Sequence, residues 1–333
     1  FAFTSKHLLY GKLRPYLAKI ARPTFAGICS TDILPVLPGP RLDRGYLAWY
    51  LLTPHMVAFA NSRATGVNLP RMSPRTLAEL KIPLPPISEQ RRIAETLDKA
   101  DALRAKRCAG LAQLDTLTQS IFLDMFGDPV TNPKQWPQAD MSQVVYGEYG
   151  VKAGPFGSSL KKEHYTDKGY RVYGQEQLIA GRFDVGNYYI GEKKYRQLKT
   201  CAVAEGDVLI SLVGSFGKIL VVPRGIEEGI INPRLLKITP NRKLITPYFL
   251  AALLALSTIQ SEFGRMSHGG TMGVLNAGLL KELRVILPPV DLQHDFLRRI
   301  LAAQALRVVH ETSLVQLDGL FASLQYRAFR GEL

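Results

Sequence analysis

Cysteine is scarce in this sequence of 333 residues: Cys29, Cys108 and Cys201 are odd in number and widely spaced. That excludes a disulfide framework and a CxxC zinc site. Long apolar runs are missing as well. The longest, Tyr248 to Leu256, falls far short of the roughly 18 to 20 residues a membrane span needs. No cationic start leads into an apolar stretch and a cleavage site. The expectation is a cytoplasmic chain with no membrane partner. At 46% apolar and 21% charged residues the composition is that of a folded soluble protein, and the length suits about two domains.

Acidic residues are also short, 28 against 42 basic ones, for a net charge of +14. The excess is uneven. Residues 1–87 carry 11 basic and 3 acidic side chains and residues 136–246 carry 16 and 11, whereas residues 88–126 balance at 6 and 6. Two separated basic blocks point to a polyanionic partner; a diffusely basic protein is the plainer alternative.

An internal repeat organises the chain. Leu80-Lys81-Ile82-Pro83-Leu84-Pro85-Pro86 returns as Leu283-Arg284-Val285-Ile286-Leu287-Pro288-Pro289, 203 residues later. At the same offset Leu111-Ala112-Gln113-Leu114-Asp115-Thr116-Leu117 returns as Leu314-Val315-Gln316-Leu317-Asp318-Gly319-Leu320. Upstream, Gly27 to Leu34 aligns with Gly229 to Leu236. The second copy starts near Trp136, so the counterpart of its start would lie about 65 residues before Phe1. The expectation is a first domain that is truncated.

Short apolar runs such as Tyr170–Tyr173, Asp207–Val213 and Leu235–Ile238, broken by Gly, Pro and Asn, predict strands. Helical patterns follow at 45–61 and 248–263. After each Pro-Pro pair comes an N-cap candidate, Ser88 or Asp291. Beyond it Ile93, Leu97, Ala100, Leu103, Leu111, Leu114, Leu117 and Ile121 keep helical spacing. Their partners at +203 are Phe296, Ile300, Ala303, Leu306, Leu314, Leu317, Leu320 and Leu324. So narrow a stripe predicts two helices that pair with each other, antiparallel by connectivity, with pseudo-two-fold symmetry; the alternative is an ordinary helix packed on its own domain. The expected class is α+β, with boundaries at 1–87, 88–126, 127–290 and 291–333.

Catalytic motifs are mostly missing. Gly214-Ser215-Phe216-Gly217-Lys218-Ile219 has the wrong spacing for a phosphate-binding Walker loop. Asn132-Pro133-Lys134 and Asn232-Pro233-Arg234 lack the second Pro of an amino-methyltransferase. Asp184 with Glu192-Lys193-Lys194 fits a loose metal-nuclease spacing, so a nuclease or modification enzyme using Asp184, Glu192 and Lys194 is a rival; a charged turn gives the same letters. The six histidines form no ligand spacing. A coiled-coil assembly protein with incidental charge is a second rival. The remaining polar stretches suit a phosphate backbone: Gly154-Pro155-Phe156-Gly157-Ser158-Ser159-Leu160-Lys161-Lys162, and the glycine-bearing loops at 63–67 and 267–272.

The Pro-Leu-Pro-Pro-Ile-Ser-Glu-Gln-Arg-Arg-Ile run at 83–93, its diverged copy at 288–300, the Gly-Pro-Phe-Gly-Ser loop and the terminal Phe329-Arg330-Gly331-Glu332-Leu333 carry a resemblance. Together they resemble the specificity subunit of type I restriction-modification systems, over the whole chain. The resemblance implies two target-recognition domains, each reading half of a split double-stranded DNA target without an active site. It also implies helices that set the spacer and dock methyltransferase subunits, with restriction subunits joining the complex. S-adenosylmethionine, ATP and magnesium would belong to those partners, and none to this chain. The sequence departs from the pattern in its second motif, where Gln293 alone remains of Glu-Gln-Arg-Arg.

On that basis the candidate DNA contacts in the first copy are Lys12, Arg14, Thr31, Arg63, Thr65 and Arg71. In the second they are Ser158, Ser159, Lys161, Lys162, Gln175, Ser215, Lys218, Asn232, Arg234, His268 and Thr271. Candidate docking residues on the helices are Arg91, Arg92, Leu97, Leu114, Leu117, Ile300, Leu317 and Leu320.

Overall fold

A computed structural model describes residues 1–66, 68–212, 218–267 and 277–333. It divides into two units, Phe1–Ala112 with Arg307–Leu333, and Gln113–Leu306. The first unit opens with β1 (Ala2–Phe3), β2 (Leu8–Gly11), β3 (Ile20–Ala21), β4 (Gly27–Ile28) and β5 (Ile33–Val36). These form an antiparallel three-stranded sheet of order β3-β2-β5 and a β1-β4 pair.

Helices α1 (Arg44–Leu51), α2 (Pro54–Ser62) and α3 (Pro74–Ala78) follow. Each starts where a short polar side chain takes an orphan N–H: Asp43 accepts from Tyr46, Thr53 from Met56 and Ser73 from Thr76. Proline at the first helical position of α2 and α3 costs nothing there. Leu8, Tyr10, Leu47, Leu51, Met56 and Met72 form the core beneath them.

Two long helices, α4 (Ile87–Phe126) and α10 (Val290–Ala328), each contribute to both units. Both start one residue earlier than the predicted caps. The carbonyls of Pro86 and Pro289 take the first helical N–H groups, from Glu89 and Gln90 and from Leu292 and Gln293, which leaves Ser88 and Asp291 in the first turn. In the first unit the head of α4 is sunk in a core of Tyr46, Trp49, Ile93, Ala94 and Leu97, closed by Phe321, Leu324 and Ala328 of α10 and by Phe329 just beyond it.

Between the predicted strands and helices of the second unit the chain runs β6 (Gln138–Asp140), β7 (Val151–Ala153), β8 (Tyr165–Thr166), β9 (Tyr170–Tyr173), α5 (Gln175–Ala180), β10 (Tyr189–Ile190), α6 (Glu192–Gln197), β11 (Val208–Ser211), β12 (Ile219–Val221), β13 (Gly229–Ile231), β14 (Leu235–Ile238), α7 (Pro247–Ala255), α8 (Ser257–Ser267), α9 (Ala277–Lys281) and β15 (Arg284–Ile286). The sheets are β12-β11-β14-β7, β13-β9-β10-β8 and the pair β15-β6. Only β13 with β9 is parallel among the described pairs.

The repeat is visible in the ladders. In the first unit Gly11 faces Ile33 across β2-β5, and in the second Ser211 faces Leu235 across β11-β14. The helical patterns at 45–61 and 248–263 each resolve into two helices, broken before Pro54 and at Leu256. Phe122, Phe126, Phe249 and Phe296 form the aromatic centre of the second unit. Among the described residues no helix is long and apolar enough to cross a membrane.

The predicted stripe needs correction. Leu103, Leu306 and Leu320 are exposed, whereas Leu97 and Ile300 are buried in the cores of their own units. A straight helix of 3.6 residues per turn drifts by about 20° per heptad against a 3.5-residue stripe, so a stripe this long does not stay on one face, and Leu97 and Ile300 meet the cores at the heads of their own helices.

Candidate nucleic-acid interface

In the first unit the fold collects candidates from four stretches of sequence. The backbone of Lys12 bonds to Asp32 O and to Met72 N–H, both at 3.0 Å, and Arg14 N–H reaches Pro70 O at 2.7 Å. Thr65 and Arg71 exchange backbone hydrogen bonds at 3.0 and 2.9 Å. Lys12, Arg14, Asp32, Thr65 and Arg71 therefore share one patch at the end of the β2-β5 ladder, with Thr31 beside Asp32. Arg14 and Ala18 hold the left-handed backbone conformation, rare for residues with a Cβ, which sharpens the turn that presents Arg14.

Two charges in this patch are already paired. Arg71 Nε donates to Asp32 Oδ1 at 3.0 Å. That hydrogen bond, with the positive charges of Arg71 and Lys12, holds the Asp32 carboxyl below the usual carboxylate range. Asp32 is thus held ionised with one oxygen engaged by Arg71, and Arg14 is an exposed cation of the patch. Arg63, at the end of α2, lies over the Phe59 ring at 5.5 Å.

The second unit builds its patch where β7, β9 and β13 end. Asn232 N–H donates to Tyr173 O at 2.8 Å and Gly154 N–H to Leu235 O at 3.0 Å. Asn232 Oδ1 accepts from Arg234 N–H at 2.9 Å, a side-chain turn that presents Arg234 to solvent. Only glycine fits at 154, since a Cβ there would lie 1.8 Å from Asn232 O. The loop carrying Ser158 and Ser159 is therefore drawn tightly against the Asn232 turn. Gln175 opens α5 next to Gly174, where a Cβ would lie 2.6 Å from Asn232 Nδ2.

Gly154 and Gly174, next to Gln175, both lie against Asn232, with Ser158 and Ser159 following on the loop after Gly154 and Arg234 exposed beyond Asn232. Lys161 and Lys162 lie farther along the loop, with Lys161 Nζ 3.8 Å from Glu163. Lys218 is exposed just ahead of β12. Ser215, His268 and Thr271 lie outside the described residues.

Sequence reasoning missed Lys152 and Thr200, which line a cleft of about 480 Å³ with Ser159 and Phe156. Lys152 alternates with buried Val151 on β7, a period-two signal too short to read in a three-residue strand. Lys19 was also missed; its backbone carbonyl accepts from Gly11 N–H at 2.8 Å, beside Lys12.

Both acids of the rival catalytic set have basic partners close in sequence. Asp184 faces Arg182 at 3.5 Å and Glu192 is engaged by Arg196 within α6. Among the described residues no cluster of His, Cys, Asp or Glu has the arrangement of a metal site.

Of the docking candidates, Arg92 bonds Glu89 at 2.6 Å and Leu333 O at 2.7 Å. Arg91 is exposed, Leu114, Leu117 and Leu317 are half-buried, and Leu320 is exposed. Leu97 and Ile300 are not available to a partner, because each is buried in its unit's core.

Duplicated β-rich units, each rooted on a long helix, define a chain of two repeated modules. The chain belongs to the type I restriction modification DNA specificity domain family, which matches residues 24–112 and 156–302. It is 26% identical over 319 residues to the type I restriction enzyme EcoBI specificity subunit of Escherichia coli, covering 86% of this chain and 65% of that protein. To the EcoDI specificity subunit of Escherichia coli it is 31% identical over 155 residues, 45% of this chain and 34% of that one. The chain thus spans 65% or less of the length of these relatives. A solved chain described with the complex assembly and conformational transition of the type I R-M system superposes with a TM-score of 0.65 at 18% identity. It covers all of this chain and 83% of its own. That likeness is one of fold.

Proposed function

We propose that this chain is a non-catalytic DNA-recognition subunit that binds a bipartite double-stranded target, each unit reading one half-site. The observation that carries this reading is the pairing of a shared scaffold with unshared polar surfaces. The ladders β2-β5 and β11-β14 are equivalent, yet the residues at their ends are Thr31-Asp32 in one unit and Pro233-Arg234 in the other. The basic loops would grip phosphates and Arg234 would read a base edge.

In the same reading α4 and α10 pair as an antiparallel coiled coil with pseudo-two-fold symmetry, set the spacer and dock methyltransferase subunits. Its support lies in each unit. In the first, Arg104 bonds Asp318 at 2.7 Å and covers the Phe321 ring at 4.6 Å. In the second, Phe122 meets Phe296 at 5.6 Å. Residue numbers fall along α10 as they rise along α4. S-adenosylmethionine, ATP and magnesium would sit on methyltransferase and restriction subunits of a cytoplasmic complex.

Methylome sequencing of a host carrying the intact system tests the proposal. A bipartite methylated motif is the expected result, and methylation at a single continuous motif overturns it. DNA binding by the complex should also fall about 10³ to 10⁵ fold between 50 and 200 mM salt, as neutralisation of 6 to 10 phosphates requires.

A further inference from the structure

Just beyond β9 the second unit carries Glu176, a half-buried carboxylate that makes no hydrogen bond or ion pair among the described residues. Strand β9 runs parallel to β13, so the residues that follow the two strands meet. A Cβ at Gly174 would lie 2.5 Å from Glu176 Oε2 and 2.6 Å from Asn232 Nδ2. The carboxylate and the Asn232 amide thus crowd the space that a side chain at 174 would take. On its other side Glu176 Oε1 lies 3.2 Å from where a Cβ of Gly186 would stand.

The surroundings are fixed, and they do not use the charge. Val185 O accepts from Gln177 Nε2 at 2.6 Å and from Arg171 Nη2 at 2.9 Å, which anchors the turn at Gly186. The start of α5 is served by Gln177, whose Oε1 accepts from Gly174 N–H at 2.7 Å. Tyr165 is near enough for the Glu176 charge to add to burial in raising its hydroxyl. Asn232 Oδ1 accepts from Arg234 N–H at 2.9 Å, which leaves Nδ2 on the side of Gly174. A fixed amide donor and an unpaired acceptor therefore stand side by side where β9 and β13 end.

We infer, resting on the DNA-recognition reading proposed above, that Glu176 is a specificity-determining residue of the second unit. Its carboxylate accepts from the exocyclic amino group of adenine or cytosine in the major groove, while Asn232 Nδ2 donates to the acceptor beside that group. Adenine N6 and cytosine N4 are amino donors there, whereas guanine O6 and thymine O4 are keto acceptors. A carboxylate has only acceptors to offer, so it takes the first pair and repels the second. The same charge repels phosphates, which weakens binding to every sequence without an amino group at that point.

The parent chain and its Glu176→Gln and Glu176→Ala variants, each assembled with methyltransferase subunits, are compared in binding selections on randomised half-sites and in titrations of a duplex lacking the target. The parent should require an amino base at one position of the half-site read by the second unit. Glu176→Ala should relax that preference by roughly tenfold. Glu176→Gln, whose amide also donates, should admit guanine or thymine there. Both variants should bind the non-target duplex about twofold more tightly at about 50 mM salt, with the gap closing as salt screens the lost charge. The other half-site should be read as before, which shows that the variants are folded. An unchanged preference at every position, or a uniform loss of affinity for all sequences, overturns the inference and leaves the recognition reading intact. A parent complex with no bipartite preference overturns that reading, and the role of Glu176 with it.

Discussion

Gln90 and Gln293 make the same three hydrogen bonds in the two units. Each is fully buried. Gln90 accepts from Asp43 N–H at 2.8 Å and donates to Arg41 O at 3.0 Å and Pro85 O at 2.8 Å. Gln293 accepts from Thr246 N–H at 2.7 Å and donates to Leu244 O at 3.0 Å and Pro288 O at 2.9 Å. Every partner differs by 203 residues. One side chain ties three strands of backbone together at the point where a long helix leaves its domain: the helix start, the Pro-Pro turn and the cap of the preceding helix.

Replacing either glutamine by leucine strands one N–H and two carbonyls, each worth about 1 to 3 kcal/mol if left buried and unpaired. Gln90→Leu and Gln293→Leu should each lower stability by about 2 kcal/mol or more in urea melts. Hydrogen exchange should rise near Asp43 in the first variant and near Thr246 in the second. A change within about 0.5 kcal/mol, the range of ordinary surface substitutions, would show that the clamp is dispensable.

The clamp also explains what the sequence could and could not reveal. The two helices, their lengths and the offset of 203 were legible because a 3.6-residue pattern sustained over ten turns is a strong signal. Gln293 looked like the remnant of a faded motif, since nothing in its local sequence distinguishes a buried glutamine from an exposed one. The patches were half legible. Lys12, Arg14, Thr65 and Arg71 were picked out by charge and glycine context, but the Arg71 to Asp32 pairing spans 39 residues and depends on the β2-β5 register. Leu97 and Ile300 were misjudged because periodicity gives the face of a helix and not what covers it.

Asp98 ties α4 to the first unit by accepting from Arg22 Nη1 at 3.0 Å and from Trp49 Nε1 at 2.8 Å. Burial alone would raise its carboxyl, but the hydrogen bonds from Arg22 and Trp49 and the Arg22 charge bring it below the usual value. A folded-state pKa below the unfolded one gives stability that is present above the ordinary carboxylate range and lost as pH falls through the lowered value. Asp98→Asn should therefore melt below the parent at about pH 7, with the gap closing toward about pH 3. A gap of equal size at both ends would assign the effect to hydrogen-bond geometry and not to charge.

Arg234 is exposed and its backbone is fixed by the Asn232 side chain, so its guanidinium is free to fork onto a guanine edge. Arg234→Ala should relax one base pair of one half-site by about 1 to 3 kcal/mol and leave the other half-site unchanged. Arg71→Ala should behave differently. It releases the Asp32 carboxylate toward the phosphates and weakens binding to all sequences alike. Binding selections on randomised half-sites separate the two patterns, and uniform loss in Arg234→Ala would reduce that residue to a phosphate contact.

Within the first unit α4 and α10 approach closely at Gly110, where a Cβ would lie 3.1 Å from His310 Nδ1. Ser313 is the repeat equivalent of Gly110 and lies within one turn of His310. Four residues inserted after both Gly110 and Ser313 add about one turn to each helix and roughly 6 Å to the pair, while nearly preserving which faces meet. Insertion in one helix alone would slide Arg104 past Asp318 and should destabilise the pair. If the helices set the separation of the half-sites, the double insertion should lengthen the spacer of the methylated motif by about two base pairs, at roughly 3.4 Å each, without altering either half. A folded, active double-insertion variant that methylates the original spacer would place the ruler elsewhere in the complex, because no compensating bend in these two helices could absorb a full turn and keep the Arg104 pairing.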